Sequence, residues 1–288
     1  MDDAAHPIFR SGVSALDFLQ RVYMRLLTYI SPVKHCHTVF GATMRCHSHD
    51  FVQRRIRFFG IFEHNLTNYT TDRLRNGDVY VDIGANVGYY SLLASKLVGK
   101  DGMVISVEAA LSTFSMLEQN LKINNCNNVK AFNVAATEER CRVFIAAGDP
   151  HNSGSNEIQI DTKEGNVEGL PFRDIVGADI SRVRFVKIDI EGSEAPVLRA
   201  ILEALPDLPK DFVIASEISP ASIGLIARFI EAGFRVYAIP NVYTIDYYLI
   251  RSYLRKYGED RNIHMVPITA FHPSYTDYVF ERGSSHRH

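Results

Sequence analysis

The stretch from 79 to 91, VYVDIGANVGYYS, constrains the fold of this chain more than any other part of it. An apolar run rich in strand-forming residues, 79–81, ends at the acid Asp82. A turn that contains Gly84 and Gly88 follows, and a helical pattern begins directly after it. A strand, a small-residue turn and a helix in this order predict a parallel α/β sheet that cradles a nucleotide-like ligand at the helix N-terminus.

The spacing of acids and glycines favours one ligand over another. A dinucleotide site carries G-x-G-x-x-G with an acid about 20 residues further on. Here the acid comes first and G-x-x-x-G follows, with Asn86 where the second glycine would stand. A second acid, Glu108, ends the next predicted strand, where a carboxylate can accept both ribose hydroxyl protons. The pattern predicts a site for S-adenosylmethionine, which has no pyrophosphate; a strand–helix turn without a ligand is the alternative.

Composition narrows the class of protein. The chain has 288 residues, of which 46% are hydrophobic and 22% charged, which suits one globular domain with an N-terminal elaboration or two small domains. A net charge of -2 gives no sign of a nucleic-acid surface, so we expect no nucleic-acid partner. Four cysteines in a chain of this length do not suggest a disulfide scaffold. We therefore expect reduced thiols, a cytoplasmic location and no membrane span.

The chain divides into three predicted zones. Residues 1–75 form a helical and hairpin extension, 76–282 form the sheet domain, and 283–288 are a disordered tail. Within the extension, apolar residues at helical spacing across 13–33 predict an amphipathic helix. Its polar face is not strongly basic, so we expect it to pack against the domain or a second subunit rather than a membrane surface.

Strand and helix patterns alternate through most of the sheet domain, which implies a mostly parallel sheet with right-handed crossovers. The predicted strands are 79–83, 103–107, 129–134, 184–190, 212–217 and 234–239. The predicted helices are 63–74, 88–98, 111–123, 193–204, 220–232 and 243–257. Short extra strands are expected at 142–146 and 157–161, and a last strand at 277–281 is expected antiparallel beside 234–239.

A second motif, KIDIEGSE at 187–194, ends the fourth core strand. Ligands of open parallel sheets bind at this carboxyl edge. Asp189, Glu191, Glu194 and Glu217 are predicted to converge there, as a general base, a clamp for hydroxyl groups or a divalent metal site that would hold Mg²⁺. Glu194 also suits the first turn of a helix, where an acid interacts well with the dipole.

Histidines and cysteines cluster around a predicted turn at Gly41-Ala42, in HCH at 35–37 and CHSH at 46–49. A two-residue hairpin loop would place His37 opposite Cys46 and His35 near Ser48. Such a set can bind zinc, but the spacing matches no standard zinc motif, so an ordinary surface hairpin is the favoured interpretation.

Taken together, the motifs resemble the FkbM-type S-adenosylmethionine-dependent methyltransferases. The motifs are DIGANVGYYS at 82–91, VE at 107–108 and KIDIEGSE at 187–194, with smaller matches at Gly60-Ile-Phe-Glu63, Asn152-Ser153-Gly154 and Glu217. The resemblance covers about 38–240 and implies a Rossmann-like seven-stranded sheet with helices on both faces. It also implies S-adenosyl-L-methionine as cofactor and methyl transfer, commonly to oxygen on a sugar or another small metabolite.

The resemblance assigns roles by position. It implies cofactor binding by Asp82, Gly84, Ala85, Asn86, Gly88, Tyr89, Ser91, Glu108, Ala109 and Ala135. Asp189 and Glu191 would lie near the methyl group, with Asp189 the first candidate for the base, Glu191 the second or a hydroxyl clamp, and His151 a third. One departure is Ala109-Ala110, where the family usually has a proline.

Three rival functions stay open at this point. The first is an N-methyltransferase or a nucleoside-modifying enzyme, which the acidic fourth-strand motif disfavours. The second is a cofactor-binding protein without turnover that serves in an assembly through the N-terminal helix, which can also carry self-association. The third is a dehydrogenase, which binding of a nicotinamide dinucleotide would establish.

Overall fold

A computed structural model describes Val22, Leu26 and residues 33–146, 157–160, 165–190, 192–244, 247–248, 263, 265–268 and 277–282. Val22 and Leu26, from the predicted N-terminal helix, are helical and exposed. The rest of that helix lies outside the described residues, as do His151, Glu191 and most of the predicted helix 243–257. None of the helices in the described ranges is both long and apolar enough to cross a lipid bilayer.

The described elements follow the predicted alternation. The strands are β1 (Val33–His37), β2 (Thr43–His47), β3 (Val79–Ile83), β4 (Met103–Val107), β5 (Val129–Phe132), β6 (Ala135–Thr137), β7 (Cys141–Ala146), β8 (Glu157–Ile160), β9 (Val167–Pro171), β10 (Val183–Ile188), β11 (Val213–Glu217), β12 (Phe234–Ala238), β13 (Val266–Ile268) and β14 (Asp277–Arg282). The helices are α1 (Phe51–Phe59), α2 (His64–Arg73), α3 (Tyr89–Val98), α4 (Leu111–Ile123), α5 (Phe172–Val176), α6 (Glu194–Ala204) and α7 (Ile223–Glu231), with a 3₁₀ helix at Gly177–Arg182.

An eight-stranded sheet forms the centre, in the order β13-β12-β14-β11-β10-β3-β4-β5. Strands β11, β10, β3, β4 and β5 are parallel, and β14 inserts antiparallel between β11 and β12. The antiparallel last strand is therefore confirmed. The sheet contains the seven predicted strands and one more, because β13 adds an antiparallel edge strand beside β12.

The hydrophobic core lies on both faces of the central strands. All five residues of β3 are buried, the acid Asp82 included, so this strand does not alternate between buried and exposed positions. Helices α6 and α7 contribute Leu198, Ile201 and Phe229 to one face, and α3 contributes Leu92 and Leu93 to the other. Because helices cover both faces of the sheet, polar groups of the central strands can reach solvent at the strand ends.

The N-terminal hairpin differs from its prediction. Its loop spans five residues, 38–42, so His37 pairs with Thr43 and Lys34 pairs with Cys46. The predicted His37–Cys46 pairing is therefore wrong; the longer loop shifts the register, and the buried Cys36 and Cys46 thiols lie 3.0 Å apart. No group of three or more His, Cys, Asp or Glu side chains within the described ranges is placed to hold a metal ion.

Helix α1 was not predicted from the sequence. Asp50 caps it by accepting a hydrogen bond from the Gln53 backbone N–H at 2.8 Å, and Gly60 ends it in the left-handed conformation. The three arginines in FVQRRIRFF make the apolar periodicity of this helix hard to recognise in the sequence, although its apolar face packs on the hairpin through Ile56. This helix matters for function because its first residues, Phe51 and Val52, line the main cleft.

Candidate active site

The main cleft lies at the carboxyl edge of the parallel strands and has a volume of about 260 Å³. The end of β3 and the turn after it form one wall, with Gly84 and Asn86, and the end of β4 forms the next, with Glu108. The end of β10 closes the cleft with Asp189. The predicted edge of the sheet is thus the edge at which the cleft forms.

Gly84 is required by the protein itself rather than by a ligand. Its φ is +79°, and a Cβ at this position would lie 1.8 Å from the Asp189 carbonyl oxygen. The end of β10 therefore passes directly over the turn after β3. Gly88 has a similar role at the start of α3, because a Cβ there would lie 2.6 Å from Leu117 Cδ1 of α4.

Asp82 and Ser91 lie beneath the cleft and are fully buried. The Ser91 hydroxyl donates to Asp82 Oδ2 at 2.6 Å, and the Ser106 hydroxyl donates to Ser91 at 2.8 Å. Burial raises the pKa of Asp82, while the nearby Lys187 ammonium and the Ser91 hydrogen bond lower it. Together with Ser106, these two residues link β3, α3 and β4 below the turn. Asp82, Gly88 and Ser91 do not themselves line the cleft.

Glu108 is the acid that faces the cleft from the end of β4, with 9% of its surface exposed. Its Oε2 accepts the Asn86 backbone N–H and its Oε1 accepts the Ala110 backbone N–H, each at 2.9 Å. Burial raises the pKa of Glu108 to about 7, although the two backbone hydrogen bonds lower it. Each oxygen keeps a lone pair for a ligand hydroxyl.

Asn86 shapes the turn between Glu108 and α3. It has a φ of +48°, and its side-chain oxygen accepts the backbone N–H of Val87 at 2.7 Å. Asparagine tolerates this left-handed conformation better than most residues. Ala85 and Tyr89, beside this turn, also line the cleft, as do Ala109 after β4 and Ala135 at the start of β6, so most of the predicted cofactor-binding residues are brought together.

Asp189 forms an ion pair with the buried Lys187. The Lys187 Nζ donates to Asp189 Oδ2 at 2.8 Å and lies 4.9 Å from the centre of the Tyr90 ring. Burial alone would lower the pKa of Lys187, but Asp189 and Asp82 together raise it above its ordinary value. Lys187 therefore keeps its positive charge although it is buried, and it is paired with the more exposed Asp189.

The four carboxylates predicted to converge do so only in part. Asp189 and Glu217 line the cleft. Glu194 instead starts α6, where its Oε1 accepts the Gly192 backbone N–H at 2.8 Å and burial raises its pKa. Glu191 lies outside the described residues, so its predicted role rests on the sequence.

Two acids at the cleft were not among the predicted site residues. Glu63 precedes α2, and Asp277 begins β14 opposite Glu217. The position of Asp277 follows from topology, because an antiparallel strand starts at the edge where parallel strands end. Glu63 has no periodic signal, since it stands at a single left-handed residue between two helices; the match at Gly60-Ile-Phe-Glu63 was the only sequence hint.

Comparison with known proteins identifies similar methyltransferases. Residues 82–260 match the model of the methyltransferase FkbM domain. A relative from Beauveria bassiana (strain ARSEF 2860), Methyltransferase 1, is 24% identical over 179 residues, which cover 54% of this chain and 72% of the relative.

Solved structures of methyltransferases align with this chain at low sequence identity. The S-adenosylmethionine-dependent O-methyltransferase of Thermotoga maritima has a TM-score of 0.43 at 12% identity, with 92% of this chain and 82% of that chain covered. Methyltransferase FkbM of Methylobacillus flagellatus KT has a TM-score of 0.37 at 15% identity, with 75% of this chain and 50% of that chain covered.

A parallel sheet with one antiparallel strand inserted near its edge, and a ligand cleft beside β3, is the architecture of class I S-adenosylmethionine-dependent methyltransferases. The family match covers more than half of the chain. The chain belongs to the FkbM methyltransferase family.

The residues of the cleft fit S-adenosylmethionine. Glu108 offers two carboxylate oxygens of the kind that bind paired ribose hydroxyls, next to a turn in which Asn86 stands where a pyrophosphate-binding site has its second glycine. Glu63, Asp189, Glu217 and Asp277 surround the rest of the cleft with acid, which suits a positively charged sulfonium.

Proposed function

We propose that this methyltransferase acts on a hydroxyl group of a small, uncharged, ring-bearing acceptor, such as a sugar-containing metabolite. The observation that carries the proposal is the composition of the cleft beyond Glu108. Its described lining combines several carboxylates, a group of aromatic rings and one lysine that is already paired.

The charge of the cleft argues for an uncharged acceptor. Glu63, Asp189, Glu217 and Asp277 face the cleft, and Lys187 is the one cation among its described lining residues. A phosphorylated or carboxylated acceptor would meet like charges in a partly buried space, which costs several kcal/mol for a close pair. Hydroxyl groups, in contrast, donate hydrogen bonds to carboxylates.

The aromatic side chains supply flat apolar surfaces for an acceptor ring. Phe51, Phe62 and Tyr243 form a connected group, with ring centres 5.9 Å apart from Phe51 to Tyr243 and from Phe62 to Tyr243. Tyr89 adjoins them at 6.3 Å from Phe62. Sugars and other small rings bury their C–H faces against such groups, and the polar edge then meets the acids.

The chain's own residues position the reactants and balance charge. S-adenosylmethionine supplies a methyl group on a sulfonium, which is a good leaving group. Glu108 and the 84–86 turn orient the cofactor, with Tyr89, Ala109 and Ala135 beside them, and Asp82, Gly88 and Ser91 fix the shape of that turn from below. Asp189, with Glu191 two residues further along the sequence, lies at the end of β10 where an acceptor oxygen can approach.

A two-part experiment tests this function. Calorimetry should show binding of S-adenosylhomocysteine to the protein, reduced at least tenfold in Glu108→Ala. The protein is then incubated with S-adenosylmethionine and pools of neutral glycosides, phenols, sugar phosphates, amines and RNA, and formation of S-adenosylhomocysteine is followed. Product should form with neutral hydroxyl compounds; product with only phosphates or RNA would overturn the proposal.

One rival function keeps support from the structure. An acid-rich cleft with aromatic walls also suits a protonated amine, as in the recognition of organic cations. The amine pool in the experiment above separates N-methylation from O-methylation. Cofactor binding without product in any pool would favour the non-catalytic assembly protein.

A further inference from the structure

Glu63 is a buried carboxylate that reaches the cleft from outside the central sheet. It lines the cleft, is 6% exposed and stands between α1 and α2 with a φ of +45°. A left-handed conformation is strained for a residue other than glycine, and such strained residues are concentrated at functional sites. The backbone is thus held in an uncommon conformation at the point where this acid enters the site.

Three tyrosines hold Glu63. The Tyr90 hydroxyl donates to its Oε2 at 2.8 Å, and the Tyr243 hydroxyl donates to its Oε1 at 2.7 Å. The Glu63 backbone N–H donates to the Tyr248 hydroxyl at 3.1 Å. Each carboxylate oxygen therefore has one fixed donor and one remaining lone pair, which orients the group without saturating it.

The charges that face Glu63 come from four elements. Asp277 starts β14, Asp189 and Lys187 come from β10 and its end, and the tyrosine hydroxyls come from α3 and the segment after β12. Burial, together with the nearby Asp277 and Asp189, raises the pKa of Glu63 to about 8, although Lys187 and the Tyr243 hydrogen bond act to lower it. A base whose pKa lies near the working pH is well suited to accept a proton.

Asp189 is less suited to the same task. Its Oδ2 already accepts a hydrogen bond from the Lys187 ammonium, so its negative charge is matched at short range. Among the described residues, no lysine or arginine forms such a pair with Glu63. Of these two acids, Glu63 is therefore the one that can gain a proton without breaking an ion pair.

We propose that Glu63 accepts the proton of the acceptor hydroxyl during methyl transfer, held in place by Tyr90 and Tyr243. This inference rests on the proposed function. The acceptor oxygen forms its bond to the methyl carbon as the carbon–sulfur bond breaks, and the electron pair of that bond stays on sulfur. The hydroxyl proton passes to Glu63, which later releases it to solvent, so atoms and charge balance.

The cofactor's charge should control the ionisation of Glu63. A sulfonium in an acid-lined cleft favours the charged carboxylate, whereas the neutral thioether of S-adenosylhomocysteine does not. Glu63 is then ionised when the methyl donor is bound, and its proton affinity rises as the positive charge on sulfur is lost. Glu108 contacts parts common to both molecules, so its response cancels when the two are compared.

Proton release on binding tests this inference without a known acceptor. Calorimetric titrations of S-adenosylmethionine and S-adenosylhomocysteine are run in buffers of different ionisation enthalpy at a pH of about 8, where Glu63 is half ionised. Wild type should release more protons with S-adenosylmethionine, by up to about half a proton. Glu63→Gln should abolish that difference, and Glu231→Gln, an exposed acid on α7, should keep it.

The outcomes separate the two proposals. An unchanged difference in Glu63→Gln overturns the role of Glu63, whereas failure of wild type to bind either molecule overturns the proposed function itself. If Glu63→Gln does not fold, Tyr243→Phe replaces it. Loss of that hydrogen bond should move the midpoint of proton release to higher pH, and an unmoved midpoint contradicts the proposal.

Discussion

At the scale of single residues, Glu108 links the ionisation of the site to cofactor binding. Its two oxygens accept backbone hydrogen bonds from both sides of the cleft wall, and burial is the main reason for its raised pKa of about 7. A carboxyl group in this state is half ionised at neutral pH. Ribose hydroxyls donate hydrogen bonds best to the ionised form.

Affinity for S-adenosylhomocysteine should therefore rise with pH across about 7. Glu108→Gln should weaken binding by about 10- to 100-fold and remove the pH dependence, because each of the two ribose hydrogen bonds loses about 1 kcal/mol when its acceptor becomes neutral. Calorimetric dissociation constants measured on both sides of that pH check this. Glu118→Gln, an exposed acid on α4, is the control, and a Glu108→Gln curve parallel to wild type would contradict it.

Gly84 should be intolerant of substitution for a reason of packing. Gly84→Ala places a Cβ 1.8 Å from the Asp189 carbonyl oxygen, so β3 and β10 must separate. We expect a loss of several kcal/mol in the free energy of unfolding, measured by denaturant titration. Gly233→Ala has a similar positive φ with no atom within 4 Å, and should lose only about 1–2 kcal/mol; equal losses would contradict the argument.

At the scale of elements, α4 joins the N-terminal hairpin to the cofactor turn through one buried side chain. The Asn120 side-chain oxygen accepts the Arg45 backbone N–H at 2.8 Å, and its amide donates to the Val87 carbonyl at 2.8 Å. Asn124 makes a second link, accepting from the backbone N–H of Thr43. The hairpin is thus fastened to the same turn that forms the cleft.

Asn120→Ala should destabilise the protein by about 2–6 kcal/mol, because the buried Val87 carbonyl and the partly buried Arg45 N–H lose their partners at about 1–3 kcal/mol each. Thermal unfolding measures this loss, and binding of S-adenosylhomocysteine should also weaken, since Val87 belongs to the cofactor turn. Asn127→Ala, at an exposed position after the same helix, should change neither quantity. Full binding by a destabilised Asn120→Ala would show that the hairpin does not support the turn.

The strands and helices that were predicted for the sheet domain match the described ones to within two residues at nearly every boundary, because buried parallel strands and glycine turns give strong local signals. The short elements β6, β9, β13 and α5 were not predicted. The hairpin register was not, since it depends on a five-residue loop that the Gly41-Ala42 pair does not specify. Helix α1 was missed because its arginines mask a narrow apolar stripe. Of the site, the strand-end acids Glu108 and Asp189 were predictable; Glu63 was not, because tertiary contacts alone bring it to the cleft.

At the scale of the whole molecule, the buried acids make the ligand-free fold sensitive to pH. Glu63 and Glu108 have pKa values of about 8 and about 7, against an ordinary value of 4.5. Between these values the folded protein binds more protons than the unfolded chain. Stability from these groups is therefore complete below about 4.5 and is lost as pH rises through about 7 and 8.

The melting temperature of the ligand-free protein should consequently fall between about pH 5 and about pH 8. The double variant Glu63→Gln/Glu108→Gln should flatten this dependence, and differential scanning calorimetry at several pH values measures it. A dependence that stays as steep in the double variant would assign the effect to other groups.

One wall of the site depends on strand β14, which is synthesised after the other strands of the sheet. Asp277 reaches the cleft because β14 inserts between β11 and β12. All three strands lie in the C-terminal part of the sequence. During synthesis the β3–β4–β5 part, with its cofactor turn, can form while the last strand is still inside the ribosome. Until β14 is synthesised, the sheet lacks the strand between β11 and β12 and the cleft lacks Asp277, so insertion of one strand completes both the sheet and the wall of acids.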